Sequence, residues 1–366
     1  MKLLDRYILL KILSTFFFVL LILVAIIVVI DLTEKVDKFS ENNLSSLVII
    51  GYYLDFIPWI AGLISPIIVF IAIVYVTGRL AAHTEIIAML SSGISFPRLL
   101  LPYFMGATII AAISFLLNGW LIPQSNKKRL NFELTYIKSR QYYDRSNIHL
   151  QVEPDVILYI QNYNTQSNTG YQFTLERFDH NRLVEKLTAD NITWDTTKHT
   201  WHLKNWRRKF VDSLFLVRTN ATLMDLRTSG PDRDTALNIQ PKEFETEQGE
   251  YDGMTIPELS EHIAKLRFRG ATGVETYEVE RHIRFAAPFT IFVLVFMGVL
   301  VSARKSRGGT GFQIVMGFIL AFIFLIFFLL TRTFAETGAL PPFLAAWLPN
   351  ITFAIIAAFM YRYVPR

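Results

Sequence analysis

The segment Ile12–Ile30 (ILSTFFFVLLILVAIIVVI) runs for 19 residues without a charge. As a helix it matches a hydrocarbon layer about 30 Å thick. A helix apolar on every side has no solvated face to offer an aqueous fold. The run lies behind Lys2, Arg6 and Lys11, as the core of a secretory signal would. The residues that follow, Asp31-Leu32-Thr33-Glu34, contain no small-x-small cleavage site, so the segment reads as a retained membrane anchor.

Five further spans follow from the same criterion. Tyr52–Val76 contains Pro58 and Pro66, which membrane helices tolerate when neighbours re-satisfy the freed carbonyls. Leu99–Leu121 is the third span. The chain then stays hydrophilic up to Arg284, after which Phe285–Val301, Phe312–Leu330 and Phe343–Tyr361 complete a second triplet. This predicts an α-helical membrane protein with six transmembrane helices (3+3) around an inserted all-β domain. The expected units are residues 1–122, 123–284 and 285–366. Charged residues are 18% of the chain and concentrate in the middle, against about 25% spread throughout a soluble domain.

Orientation follows from lysine and arginine in short loops. Lys2, Arg6, Arg79, Arg98, Arg304, Lys305, Arg307, Arg362 and Arg366 fall on one side. The other side has Lys35 and Lys38 interleaved with Glu34, Asp37 and Glu41, and Arg332 close to Glu336. Both termini are therefore expected in the cytoplasm and the middle domain outside. The net charge of +5 flanks hydrophobic blocks, which points to anionic lipid and not to nucleic acid.

The middle domain reads as short strands. Ile148, Leu150 and Val152 alternate with polar residues. Val156–Tyr163, Tyr171–Phe178 and Thr200–Phe210 are rich in β-branched and aromatic residues. Turn signals lie between them at Glu153-Pro154-Asp155, Asn164–Gly170, Asp179-His180-Asn181 and Thr196-Thr197-Lys198. Such spacing predicts an antiparallel sandwich or jelly roll. A helix then begins with the capping box Thr255/Glu258 and Pro257 in its first turn, with Leu259, Ile263 and Leu266 on one face.

Several chemistries lack their residues. With no cysteine, disulfides, thiolate catalysis and cysteine-held metal are excluded. A Walker A loop needs Gly-rich backbone followed by Lys-Ser/Thr to cradle phosphates, and Ser306–Gly311 (SRGGTG) has no lysine. The seven histidines form no His-Glu-x-x-His pair, and there is no Gly-x-Ser-x-Gly elbow. His180, His199 and His202 read as surface residues and His282 as interfacial. This chain is expected to bind no cofactor or metal and to carry no catalytic residue of its own.

Between the second and third spans lies Arg79–Ser95, too short and polar to cross. Thr84 is placed to cap a short helix and Gly93 to end it, with Ile86, Ile87, Met89 and Leu90 giving it apolar surface. Such a helix suits docking into another protein's groove, and a plain interfacial loop with Glu85 solvated is the alternative.

The segment Thr84–Ser95 (TEIIAMLSSGIS) resembles the Ser-Glu-(hydrophobic)₂-Ala-Met-x-x-x-Gly-(hydrophobic)-Ser signature of the LptF/LptG permeases. Leu4–Ile8 resembles that family's amino-terminal start, particularly its LptG branch, and Leu340–Asn350 its last-span motif. The resemblance implies a permease subunit of the ABC transporter that extracts lipopolysaccharide from the inner membrane. It implies as partners an LptB-like ATPase dimer holding ATP and magnesium, a paralogous LptF/LptG permease, and LptC-like and LptA-like bridge proteins of jelly-roll fold. It makes residues 84–92 the coupling helix, with Glu85, Ile86, Ile87, Met89 and Leu90 as ATPase contacts and an arginine expected opposite Glu85.

For the substrate, Lys35, Lys38 and Arg332 are candidate phosphate contacts. The plainer reading pairs the lysines with Glu34 and Asp37, and Arg332 with Glu336. Phe318 and Phe322, with Phe324, Phe327 and Phe328, are candidates for an acyl-chain gate formed with the first span, against ordinary lipid-facing positions. Three other functions compete. One is a permease of another lipid or lipoprotein ABC exporter. A second is a membrane-anchored envelope receptor or scaffold, which leaves the Glu85 segment unexplained. The third is a membrane-embedded transferase, which needs intramembrane acid–base groups where the spans offer little beyond Asp55.

Overall fold

The computed structural model describes residues 3–137, 145–164, 167–180, 182–211, 228–237, 239–244, 250–270, 273–303 and 309–362. Lys2, Asn181, Arg304, Lys305, Ser306, Arg307 and Arg366, used above, lie outside them. The chain forms two compact units. A helical one comprises Met1–Ile137, Tyr251–Ser260 and Glu275–Arg366, and a β unit comprises Lys138–Glu250 and Glu261–Val274.

In the helical unit, α1 spans Leu3–Glu41, α2 Ser46–Ala82, α3 Glu85–Ser91, α4 Phe96–Leu116 and α5 Ile122–Phe132. After the β unit come α6 (Ile256–Arg269), α7 (Val274–Ser302), α8 (Gly309–Glu336) and α9 (Pro342–Tyr361). Six helical segments are long and apolar enough to cross a membrane. Each apolar run sits inside a longer helix. With 39 residues, α1 extends to roughly 58 Å at 1.5 Å per residue, well beyond the hydrocarbon. The excess carries its polar ends. Pro58 and Pro66 lie inside an unbroken α2.

The third span continues further than the hydropathy indicated, as one helical path from Phe96 to Ile137. Two π-helical turns interrupt it, Leu117–Leu121 and Glu133–Ile137. Pro123 explains the first, because it has no N–H to offer the carbonyl of Gly119 and its ring crowds that carbonyl. A widened turn relieves the clash. Asn118 adds a local bond, donating from Nδ2 to the Ser114 carbonyl at 2.8 Å.

Helix α2 is the centre of this unit and packs against α1, α3, α5 and α8. Small residues let the helices close. A Cβ added at Gly298 of α7 would meet Ile73 Cγ2 at 2.9 Å, and one at Gly317 of α8 would meet Val74 Cγ2 at 3.0 Å. Phe70, Ile73, Tyr103 and Met297 are buried in the resulting core. Helix α9 begins at Pro342, whose missing N–H costs nothing in a first turn. Buried Asn350 accepts from Thr290 Oγ1 at 2.8 Å and donates to the Ala286 carbonyl at 3.3 Å, joining α9 to α7.

The β unit is a six-stranded antiparallel sheet in consecutive order: β1 (Arg145–Glu153), β2 (Val156–Asn164), β3 (Thr169–Asp179), β4 (Arg182–Asp195), β5 (Thr200–Phe210) and β6 (Ser229–Thr235). It is an up-and-down arrangement, jelly-roll-like in composition and in its position between the helix triplets. The period-2 pattern buries Val156, Leu158 and Ile160 on β2. They join Phe173, Ile192, Trp201 and Leu203, with Ile239 and Phe244 packed over them. Trp201 Nε1 donates to the Ile239 carbonyl at 2.9 Å, satisfying the one polar atom of a fully buried indole. The sequence reading left β4 and β6 unnamed. In β6, Ser-Gly-Pro-Asp-Arg-Asp-Thr is a turn-like composition that pairs only because β5 offers it an edge.

The capping box at α6 forms in altered form. Glu258 Oε2 accepts from both the Thr255 N–H (2.8 Å) and the Thr255 hydroxyl (2.9 Å). These bonds hold the Glu258 carboxyl below its usual pKa.

The Asn350–Thr290 bond gives a direct test. Asn350→Leu and Thr290→Val are each expected to lower the unfolding midpoint of the detergent-purified chain, by about 1 kcal/mol. The double variant should lose little more than either alone, because both remove the same bond. Thermal scanning fluorimetry reads both outcomes.

Candidate docking helix and substrate cavity

Helix α3 is held by backbone geometry at both ends. Thr84 does not cap it through its side chain. Its hydroxyl donates to the His83 carbonyl at 2.6 Å, and Thr84 takes a left-handed conformation (φ 61°) that turns the chain out of α2. Gly93 (φ 89°) ends α3. Ile94 N–H reaches the Met89 carbonyl at 3.3 Å and Gly93 N–H the Leu90 carbonyl at 3.1 Å, the paired bonds of a Schellman motif.

This geometry sorts the four apolar candidates. Ile86 is 2% exposed and belongs to the core, so it supports α3 from beneath and does not face outward. Met89 and Leu90 are half-buried against the same core, and Ile87 is the residue fully presented, at 51% exposure. Glu85 is half-exposed. It accepts from Tyr7 Oη at 3.0 Å and lies 3.9 Å from Lys11 Nζ.

At the opposite ends of the helices the charges pair. Lys35 Nζ lies 2.7 Å from Asp31 Oδ1, 2.5 Å from Tyr52 Oη and 3.8 Å from Glu133 Oε1. Its partners are thus Asp31 and Glu133 and not the neighbouring Glu34 or Asp37. Lys38 donates to the Ile137 carbonyl at 2.8 Å. Buried Arg129 pairs with Glu133 at 2.6 Å, donates to Asn126 Oδ1 at 2.7 Å and stacks its guanidinium 4.1 Å from the Trp59 ring centre. Arg332 bonds Glu336 at 2.8 Å, one turn on, and approaches Glu280 at 3.5 Å.

Sequence reasoning missed Arg284, because an arginine at the foot of a span reads as a boundary marker. It is 6% exposed, pairs with Glu280 at 3.0 Å and donates to the carbonyls of Tyr251 (2.8 Å) and Met254.

Beneath Asp252, Glu280, Arg284 and Arg332 opens a cavity of about 350 Å³ inside the helical unit. Its walls are α2 (Trp59, Leu63, Ile67), the Ser114–Pro123 stretch, α7 (Ala287, Thr290) and α8 (Phe324, Leu325, Phe328). A charged rim above an apolar chamber is a chemistry suited to an amphiphile. Phe324 and Phe328 line it. Phe318 and Phe322, 55% and 54% exposed, face outward from α8.

Two helices remain under-covered. In the most apolar window of α1 only 17% of residues are buried, and in that of α8 only 22%, against 56% for α2. Both flank α2 and present continuous apolar faces, with Phe18, Leu21 and Val29 on α1 and Phe318, Phe322 and Ile326 on α8. Among the described residues no cluster of three His, Asp or Glu is placed to hold a metal. His202, expected at the surface, sits between Asp234 (2.7 Å) and Asp232 (3.2 Å), and the Asp234 bond raises its pKa.

A helical unit with six segments long and apolar enough to cross a membrane, interrupted by a β domain, defines a multi-pass membrane protein. A family model described as "Lipopolysaccharide export system permease LptF/LptG" matches residues 6–363, and the chain belongs to that family. It is similar to the lipopolysaccharide export system permease protein LptG of Escherichia coli K12. The two are 20% identical over 363 residues, covering 98% of this chain and 97% of the relative. The LptG of Escherichia coli O6:H1 strain CFT073 matches to the same extent. The protein is thus an LptG-like, multi-pass inner-membrane transporter subunit of a permease family.

Asp252 supplies a pH test. Burial, then the nearby Glu280 carboxylate, push its pKa from 3.8 up to about 6, against the lowering effect of Arg332, Arg284 and Arg129. The folded chain therefore holds a proton that the unfolded chain has released between those values, so this residue's contribution to stability declines as pH rises through 6. Asp252→Asn is expected to raise the unfolding midpoint at pH 7.5, by about 1–2 kcal/mol, and to change little at pH 4. Midpoints measured at both pH values decide it.

Proposed function

We propose that this chain is the LptG-like half of a heterodimeric permease that extracts lipopolysaccharide from the inner membrane. A paralogous LptF-like chain covers the open faces of α1 and α8. An LptB-like ATPase dimer holding ATP and magnesium docks on α3, and ATP-driven closure of that dimer moves α3 and the helices attached to it. The β unit passes the glycolipid to LptC-like and LptA-like jelly-roll proteins. In this reading both termini and α3 are cytoplasmic and the β unit is periplasmic, in keeping with the lysine and arginine bias.

The observation that carries the reading is α3 itself. A seven-residue helix fixed at both ends presents a carboxylate and Ile87 outward and rests on the core through Ile86. Such a short helix has no independent stability, so its bracing serves what it touches. Glu85 would meet an arginine of the ATPase, and a hydrogen bond between charged groups contributes about 1.5–3 kcal/mol.

At the other end the cavity would receive acyl chains, with the charged rim near the phosphates. Lys35, Lys38 and Arg332 already have partners within the chain. A phosphate would therefore engage them by exchange with Asp31 and Glu133 (Lys35), the Ile137 carbonyl (Lys38) or Glu336 and Glu280 (Arg332), which makes the contact reversible. Phe318 and Phe322, on the outward face of α8, would lie at the lateral gate with the partner chain.

Glu85→Lys is expected to reduce ATPase co-purification in detergent by about tenfold or more, as loss of a charge-assisted bond implies. ATP-driven glycolipid release from vesicles should fall with it. Unchanged assembly and release would remove the docking role. A photo-crosslinking side chain at Leu325 should capture lipopolysaccharide in cells, and one at exposed Leu47 should not. Equal capture at the two sites would argue against the cavity as the substrate site.

A further inference from the structure

The first turns of α1 are tied to both flanks of the docking helix. At the entry to α3, Tyr7 Oη donates to Glu85 Oε2 at 3.0 Å, and Lys11 Nζ stands 3.9 Å from Glu85 Oε1. Lys11 is one helical turn beyond Tyr7, hydrogen-bonds its hydroxyl and lies 4.1 Å from its ring centre, so the two act as one unit. At the exit from α3, in the first turn of α4, Arg98 grips Asp5 through two bonds of 2.7 and 2.8 Å. Asp5 is 3% exposed and Ile8, one turn on, is fully buried in the cluster that also holds Ile86. The first three turns of α1 are therefore tied to α3 at its entry, through Glu85, and to the start of α4 just beyond its exit, through Arg98.

Two consequences follow from this geometry. Glu85 is a half-exposed carboxylate on a helix of seven residues, where unrestrained rotamers would scatter it. Tyr7 and Lys11 select one of them. Any displacement of α3 must also carry the start of α1 or break these bonds. Helix α1 is the least buried of the six spans, at 17% in its apolar window, and packs through one face on α2 and α4.

We infer that Tyr7 and Lys11 are positioning residues for Glu85, which link movement of the docking helix to movement of the first transmembrane helix. The inference rests on the docking reading above. Tyr7 and Lys11 orient the carboxylate from within the chain, and the partner's cation takes its outward side. The polar tie transmits force because its members are half-sheltered from water. Asp5–Arg98 keeps α1 seated while the tie is loaded.

The test uses the full transporter in vesicles, with lipopolysaccharide as substrate and release per ATP hydrolysed as the readout. Tyr7→Phe combined with Lys11→Met keeps the Glu85 carboxylate, so assembly with the ATPase should fall far less than with Glu85→Lys. Release per ATP should fall about tenfold, within the range of typical coupling between sites. Lys11→Arg alone, which keeps the charge, should restore the native ratio. Spin labels at Ser14 and Ser91 should keep one distance through the ATP cycle in the native complex and spread to several in the double variant. An unchanged release ratio, or a loss of assembly in the double variant as large as that of Glu85→Lys, overturns the inference. Failure of the docking reading itself shows separately, as Glu85→Gln leaving ATPase co-purification unchanged.

Discussion

The helical unit depends on Arg284. Its guanidinium, all but removed from water, neutralises Glu280 on its own helix and bonds the carbonyls of Tyr251 and Met254, the residues through which the chain returns to the membrane unit. Backbone that leaves a helix close to hydrocarbon has carbonyls that neither lipid nor helix will satisfy, and a five-donor cation answers two of them at once. Removing it would leave Glu280 only the 3.5 Å approach of Arg332 and would leave both carbonyls without their donor. Because Glu280 also faces Arg332, and Asp252 lies above the same cavity, the ion group that closes the fold is also the rim of the candidate substrate site.

At the opposite ends of the helices, Asp5 of α1 is paired with Arg98 of α4 and Tyr7 of α1 with Glu85 of α3. Asp5 is buried and held by two bonds, whereas Tyr7 and Glu85 are partly solvated. A solvated bond of the second kind contributes little to stability but fixes orientation. The helix with the least apolar cover, α1, is anchored in both sets, through Lys35 at one end and Asp5 and Tyr7 at the other. Between those anchors its exposed face has no partner within the helical unit to hold it still.

Hydropathy made the six spans legible because lipid removes alternatives, and a run such as Ile12–Ile30 has only one stable environment. The helix lengths were not legible. Polar residues beyond the hydrocarbon, Asp31–Glu41 and Asn126–Ile137, continue as helix because they pair across to other helices, and no local window contains those partners. The β1 segment announced itself through alternation, and β2, β3 and β5 through β-branched and aromatic residues between turn signals. The β6 segment did not, because its pairing is supplied by β5 and not by its own residues. In α3, Glu85 and the Gly93 stop were readable. The inward turn of Ile86 was not, since a seven-residue helix defines no face until it is seated on its core. Lys35 and Lys38 were visible as cations and Asp31 lies one turn from Lys35, but their other partners, Glu133 and Ile137, lie 98 and 99 residues away.

The segments that carried the family resemblance acquire a physical reading here. Leu4–Ile8 and Thr84–Ser95, far apart in sequence, meet through Tyr7 and Glu85, and Asp5 bonds Arg98 just beyond. Leu340–Asn350 begins α9 with paired prolines and ends on the asparagine that bonds Thr290 and Ala286. Each is a place where a polar group must be matched across helices at a fixed distance. An apolar membrane face tolerates exchange among Leu, Ile, Phe and Val, since lipid accepts any of them, whereas a carboxylate facing a guanidinium, or an amide bridging two helices, tolerates almost none. A chain sharing one residue in five with a relative can therefore keep its architecture, provided these few cross-helix matches remain.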